Sequence, residues 1–209
     1  MKIKRLNENS NTRLKKALFG DASGKIKTFA VMTPENPDAK TIPAEKNNKL
    51  LALFKVYLKQ MHIQYIPIEG SFGAKEHSFM LFNLSLEDAK FLAKKFGQLS
   101  FFYGNTKTVE ETSKERNTLS DIGYYEKRKD KYELIDTVNK VVDATDFEDF
   151  FSRHGNFKYN FDLDYFKESL ENIKDIKDTK SLKESLDDSY TLKHRFHCRA
   201  LAYNGKKAR

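Results

Sequence analysis

Cysteine is all but missing: Cys198 stands alone in 209 residues, so no disulfide can form within the chain. A reducing, cytoplasmic setting is the simplest expectation. Tryptophan is absent and proline occurs only four times. No apolar run approaches the roughly 20 residues that span a bilayer, so a membrane partner is not expected. The opening MKIKRLNENS is basic with no apolar stretch behind it and does not read as a secretory signal. Glycine is scarce too. Gly70 and Gly73 lack the second half of a phosphate loop, and no Gly-x-Gly-x-x-Gly occurs, so no cofactor is expected.

What is present is a core and a charged exterior. Hydrophobic residues make up 39% of the chain, with 17 Phe and 10 Tyr, and charged residues 33%. The net charge of +8 is unevenly spread: +6 over residues 1–30, +3 over 31–109, −7 over 110–189 and +6 over 190–209. Cationic ends of this kind either dock on an acidic region, of this chain or another copy, or grip nucleic-acid phosphates.

The pattern over residues 25–104 predicts β-α-β-β-α-β, the order of a ferredoxin-like α+β domain. The first strand, 25–33, is apolar on both faces around Phe29–Met32. The first helix follows Pro43, with Leu50, Leu53, Phe54, Tyr57, Leu58 and Met61 on one side. The second strand, 63–69, holds Pro67 and reads as an edge. The third, 77–83, is again apolar throughout. Ser85 and Asp88 start the second helix, Gly97 stops it, and the fourth strand is 99–103. The expected sheet order is 4-1-3-2. Residues 1–24 read as a basic arm, in which Leu14, Ala17, Leu18 and Phe19 can form a helical turn or two before Gly20, 105–189 as an acidic, mixed and mostly helical extension packed on the core, and 190–209 as a basic tail. Within the extension, 124–142 reads as a strand pair, 143–151 as a helix or turn, 157–163 as a strand and 165–186 as a helix.

That order gathers the loops after the first strand, before the third and before the fourth. Thr33, Asn36, Asn47, Glu76, His77, Ser78, Gln98 and Ser100 are the candidate loop-end surface. Such residues can recognise a partner, support acid–base chemistry at Glu76 or His77, or simply satisfy loop backbone. Thr33-x-x-Asn36-Pro37, Asn47 or Asn48, Glu76-x-Ser78-Phe79 and Gln98-x-Ser100-x-x-Tyr103 resemble the motifs of an uncharacterised domain family of bacterial and bacteriophage proteins, over residues 28–104. Pro34 departs from its pattern of a small residue after the Thr. The resemblance implies a fold and a phage-like context, with no activity to carry over.

Two other constellations compete. Lys75–Phe82, K-E-H-S-F-M-L-F, partly matches the RNA-recognition octamer at Lys75, Phe79 and Phe82, but Glu76 replaces its glycine. His194, His197 and Cys198 fall short of a four-ligand zinc set, and Arg195 and Arg199 repel a cation, so no metal is expected. The tail cations Lys193, Arg195, Arg199, Lys206, Lys207 and Arg209, with Lys75 and Phe79, are the candidate nucleic-acid or partner contacts. The sequence therefore points to a non-catalytic, phage-type accessory or virion-associated protein that binds a macromolecular partner, a protein or the assembling virion, through its basic termini and polar loop end. The alternatives are an RNA- or DNA-binding protein using the sheet face and tails, or a small enzyme centred on Glu76.

Overall fold

The computed structural model describes residues 10–72, 75–107, 120–143 and 150–164. In chain order these hold α1 (Ser10–Phe19), β1 (Thr28–Met32), a short 3-10 turn (Pro37–Ala39), α2 (Ala44–Gln60), β2 (Gln64–Phe72), β3 (Lys75–Phe82), α3 (Leu86–Lys95), β4 (Ser100–Asn105), β5 (Asp121–Arg128), β6 (Lys131–Thr137), β7 (Lys140–Asp143), β8 (Phe150–His154) and β9 (Phe157–Asp162). The strands form a single sheet in the order β6-β5-β4-β1-β3-β2-β8-β9-β7, antiparallel at every step.

This corrects the expected fold class. The described residues form a mostly β molecule, a curled sheet of nine strands with three helices, not a ferredoxin-like core carrying a helical extension. The four strands read from residues 25–104 do lie side by side as β4-β1-β3-β2. They are the middle of a larger sheet, because β5 pairs along β4 and β8 pairs along β2. Pro67 did not keep β2 at an edge. It sits in the first half of β2, whereas β8 pairs only with Glu69 to Phe72, so the missing N–H falls where no ladder bond is needed. Of residues 143–151, expected as helix or turn, Asp143 ends β7 and Phe150 and Phe151 open β8, while 144–149 lie outside the described residues. The helix expected over 165–186 and the basic tail lie outside the described residues.

Alternation along the strands splits the core in two. Ala30, Met32, Phe79, Leu81, Phe101 and Tyr103 face α2 and α3, meeting Phe54, Leu58, Leu92 and Phe96. Phe29, Val31, Met80, Phe82 and Phe102 face the other way, onto Leu14, Ala17 and Leu18 of α1. The expected arm therefore delivers a helix into the concave side of the sheet. Each wholly buried large apolar side chain there contributes roughly 1.5–3 kcal/mol. Ser85 and Asp88 close the α3 start reciprocally. The Asp88 amide donates to Ser85 Oγ at 3.0 Å, and the Ser85 amide donates to Asp88 Oδ2 at 3.4 Å.

The curl is visible in two contacts. Phe102 of β4 meets Phe161 of β9 with ring centroids 4.3 Å apart, although four strands separate them in the sheet order. The outermost strands, β6 and β7, are consecutive in the chain and joined only by Val138 and Asn139. The Val138 amide donates to Ile122 O beside β6, and the Asn139 amide donates to Asp162 O beside β7.

Candidate functional site

The loop after β1 is built around Thr33 and Glu35. Thr33 Oγ1 accepts the Glu35 amide at 3.0 Å and donates to His77 O at 2.9 Å, tying the loop to β3. Pro34 and Glu35 are then buried. The Glu35 carboxylate accepts the His77 amide at 2.9 Å on Oε2 and meets His77 Nδ1 at 2.8 Å on Oε1. Its side chain is 8% exposed, that of His77 79%. An ionised carboxylate only accepts, so Nδ1 carries the proton and the exposed ring offers Nε2 outward.

Beside this pair the chain turns through left-handed backbone at Asn36, Asp38 and Ala39 (φ 51°, 52° and 53°). Asparagine tolerates that region better than most residues. Asn36 Nδ2 donates to Glu76 Oε1 at 2.7 Å, and Asn36 Oδ1 accepts from Asn47 Nδ2 at 3.1 Å and the Ile42 amide at 3.3 Å. Asn47 Oδ1 in return accepts the Asn36 amide at 3.0 Å. One asparagine thus links the loop, the first turn of α2 and the start of β3.

The floor comes from the α3–β4 junction. The Asp38 amide donates to Gly97 O at 2.7 Å, and a Cβ on Gly97 would sit 2.9 Å from Pro37 Cβ. With φ at +63°, this position needs glycine for both conformation and approach. Gln98 is buried, with Nε2 3.4 Å from both Glu35 O and Phe96 O. Its backbone carbonyl accepts from the Tyr132 hydroxyl. Burial, with a smaller push from the charge of Asp38, raises that phenol well above its ordinary range, so it stays a donor.

The structure thus brings Thr33, Asn36, Asn47, Glu76, His77 and Gln98 into one hydrogen-bonded rim. Ser78 is buried just beneath it, its Oγ packed where a Cβ on Gly70 would fall 2.8 Å away, and Ser100 sits half-buried opposite Glu126. Sequence reasoning missed Glu35. An acid in a Pro-rich loop gives no sign of burial until the His77 backbone is placed against it. Lys75 is exposed, 3.9 Å from Glu69. Phe79 is corrected as a contact residue: it is 2% exposed and lies under α2, its ring 5.3 Å from that of Phe54. Phe29 is fully buried on the opposite face, so neither ring is open to a base. The cations of residues 190–209 and the His194–Cys198 cluster lie outside the described residues. Among the described residues, no three His, Cys, Asp or Glu are grouped to hold a metal, and no helix is long and apolar enough to cross a membrane.

Residues 32–100 match the model of a family described as a protein of unknown function, DUF3293. The matched stretch runs from the last residue of β1 to the first of β4 and contains the whole rim. No curated protein and no solved structure matches the chain.

Proposed function

We propose that the chain is a non-catalytic accessory protein of phage type, acting in the host cytoplasm or the virion, whose loop end and basic termini bind a protein partner. The observation that carries this reading is the rim itself. Glu35 fixes the exposed imidazole of His77, and Asn36 fixes Glu76, so the surface is ordered before a partner arrives. Preorganised polar groups avoid the entropic cost of being fixed on binding. The enzyme reading has less behind it, because Glu76, its proposed centre, is already engaged by Asn36. Nucleic-acid binding through the sheet loses its aromatic platform at Phe79 and would rest on the tails.

The test is affinity capture by the tagged full chain from native or infected lysate, with and without nuclease, against His77→Ala and Asn36→Ala variants checked for folding by circular dichroism. A discrete protein should be recovered equally with nuclease and at least about tenfold less with either variant, a loss of roughly 1.4 kcal/mol. Recovery that nuclease abolishes, or that both variants match, rejects the reading.

A further inference from the structure

Residues 50–58 of α2 read LLALFKVYL, apolar at every position but Lys55. A helix lying on a sheet needs an apolar stripe on one side only, and one that is apolar most of the way round requires cover on a second side. The sheet covers one side. Phe54 and Leu58 are wholly buried, whereas Leu53, expected on the packed side, stays 45% exposed and Val56 49%. Phe91, on α3, is 50% exposed. These side chains form one patch. Leu53 and Tyr57 are neighbours one turn apart, Lys95 Nζ lies 5.1 Å from the centre of the Tyr57 ring, and Phe91 is one turn from Lys95. The Phe96 ring lies 4.8 Å from that of Phe54 and 5.8 Å from that of Tyr57, so α2 and α3 lie side by side and the patch runs along their seam.

The charge around the patch is free in one sign only. The acids of the two helices are already engaged: Glu45 by Lys49 at 2.7 Å, Glu87 by Lys90 at 2.9 Å, and Asp88 by the Ser85 hydroxyl at 2.7 Å. Lys46, Lys59, Lys94 and Lys95 are exposed and form no ion pair among the described residues. Lys59 is one turn from Val56, and Lys94 one turn from Phe91, so cations border the apolar strip. The complement is an apolar stripe flanked by acids. Nucleic acid supplies the charge but gains nothing from Leu53, Val56 and Phe91. A flat anionic bilayer would also press on Glu45 and Glu87, whose side chains are 79% and 81% exposed on the same layer. A narrow rod avoids them. We propose that the α2–α3 seam docks an acidic amphipathic helix of a protein partner, its apolar stripe on Leu53, Val56 and Phe91 and its flanking carboxylates on the lysines. The seam is distinct from the loop-end rim, and its role does not rest on the reading of the rim.

The full chain is panned against a displayed library of helices of about 18 residues, five turns, randomised among Leu, Glu, Lys and Ser. Enriched helices should carry Leu at helical spacing with Glu on either side. The best of them, synthesised and added to the nitrogen-15-labelled chain, should give saturating shifts at Leu53 to Lys59 and Phe91 to Lys95. Leu53→Ser and Phe91→Ser should each weaken it at least about tenfold. Lys59→Glu combined with Lys95→Glu should do the same, and a peptide with Lys in place of Glu should recover the loss. Should any of these variants not fold by circular dichroism, Val56→Ser must show the weakening. Duplex DNA and phosphatidylserine vesicles are added in parallel. No enrichment, enriched helices without acids, shifts elsewhere, folded variants that bind like the wild type, or DNA or vesicles that shift the seam residues at lower concentration than the peptide overturn the proposal.

Discussion

Gly104→Ala should lower stability by about 3 kcal/mol, at the upper end of what overpacking costs. A Cβ at that position would lie 2.5 Å from both Cε1 and Cζ of Phe29. Neither partner can give way: Phe29 is fully exposed to no solvent at all, wedged against α1 and its neighbours in the concave core, and its ring is rigid. The two residues face each other across the β1–β4 ladder, at the centre of the sheet. Urea denaturation at neutral pH measures the loss. Phe29→Leu alone should also destabilise, but the double variant should be more stable than the sum of the two single losses, because the smaller side chain makes room for the methyl. Strict additivity would show that the ring does not rest on Gly104.

The second large effect is at Asp21, between α1 and β1. Its carboxylate is wholly buried and accepts the amides of Ser23 at 3.1 Å, Lys25 at 3.0 Å and Ile26 at 2.9 Å, and the Ser23 hydroxyl at 2.7 Å. Lys16 Nζ is 3.5 Å away. Asp21→Ala orphans these donors and should cost about 3 kcal/mol. Burial by itself pushes the carboxyl up, but the bonds from Ser23 and Ile26 and the charge of Lys16 outweigh it, and the pKa falls below the ordinary 3.8. A group depressed in the folded state contributes stability above its unfolded pKa and loses it as pH falls through the folded one. The gap in unfolding free energy between wild type and Asp21→Ala should therefore be full near neutrality and shrink below pH 3.8. A gap that stays constant down to the acid limit would assign the loss to packing alone.

Much of the middle of this fold was legible because local signals agreed there. β1 and β3 are apolar on both faces and both are central; Ser85 with Asp88 marked the start of α3, and Gly97 its stop. The strand pair read from 124–142 is β5 and β6, its turn at Lys129 in left-handed backbone. What the sequence hid was lateral growth. A strand states which of its faces is buried, but not whether its far edge will acquire another strand. Nothing in Phe101–Tyr103 announces Tyr124 and Tyr125 alongside, and Pro67 argued against a neighbour that pairs only beyond it. α1 was legible in part: Leu14, Ala17, Leu18 and Phe19 read as a helical turn or two before Gly20, but its full span, Ser10–Phe19, and its place in the core were not, because its buried stripe is three residues inside a segment dominated by Lys and Asn. At the rim, residue types identified the members, but only coordinates separate Glu35, buried and holding an imidazole, from Glu76, held by an amide.

The short link from Thr137 to Lys140 has a consequence for how the molecule assembles. The two rows it joins cannot be laid down independently: once one is seated, the other is tethered within a few ångströms of its berth at the far margin. Closure therefore waits until the intervening strands have bent far enough to bring both berths together, a late and strongly non-local step of the sort that slows folding. The same tether means that neither border can peel away in the finished molecule without dragging on the other.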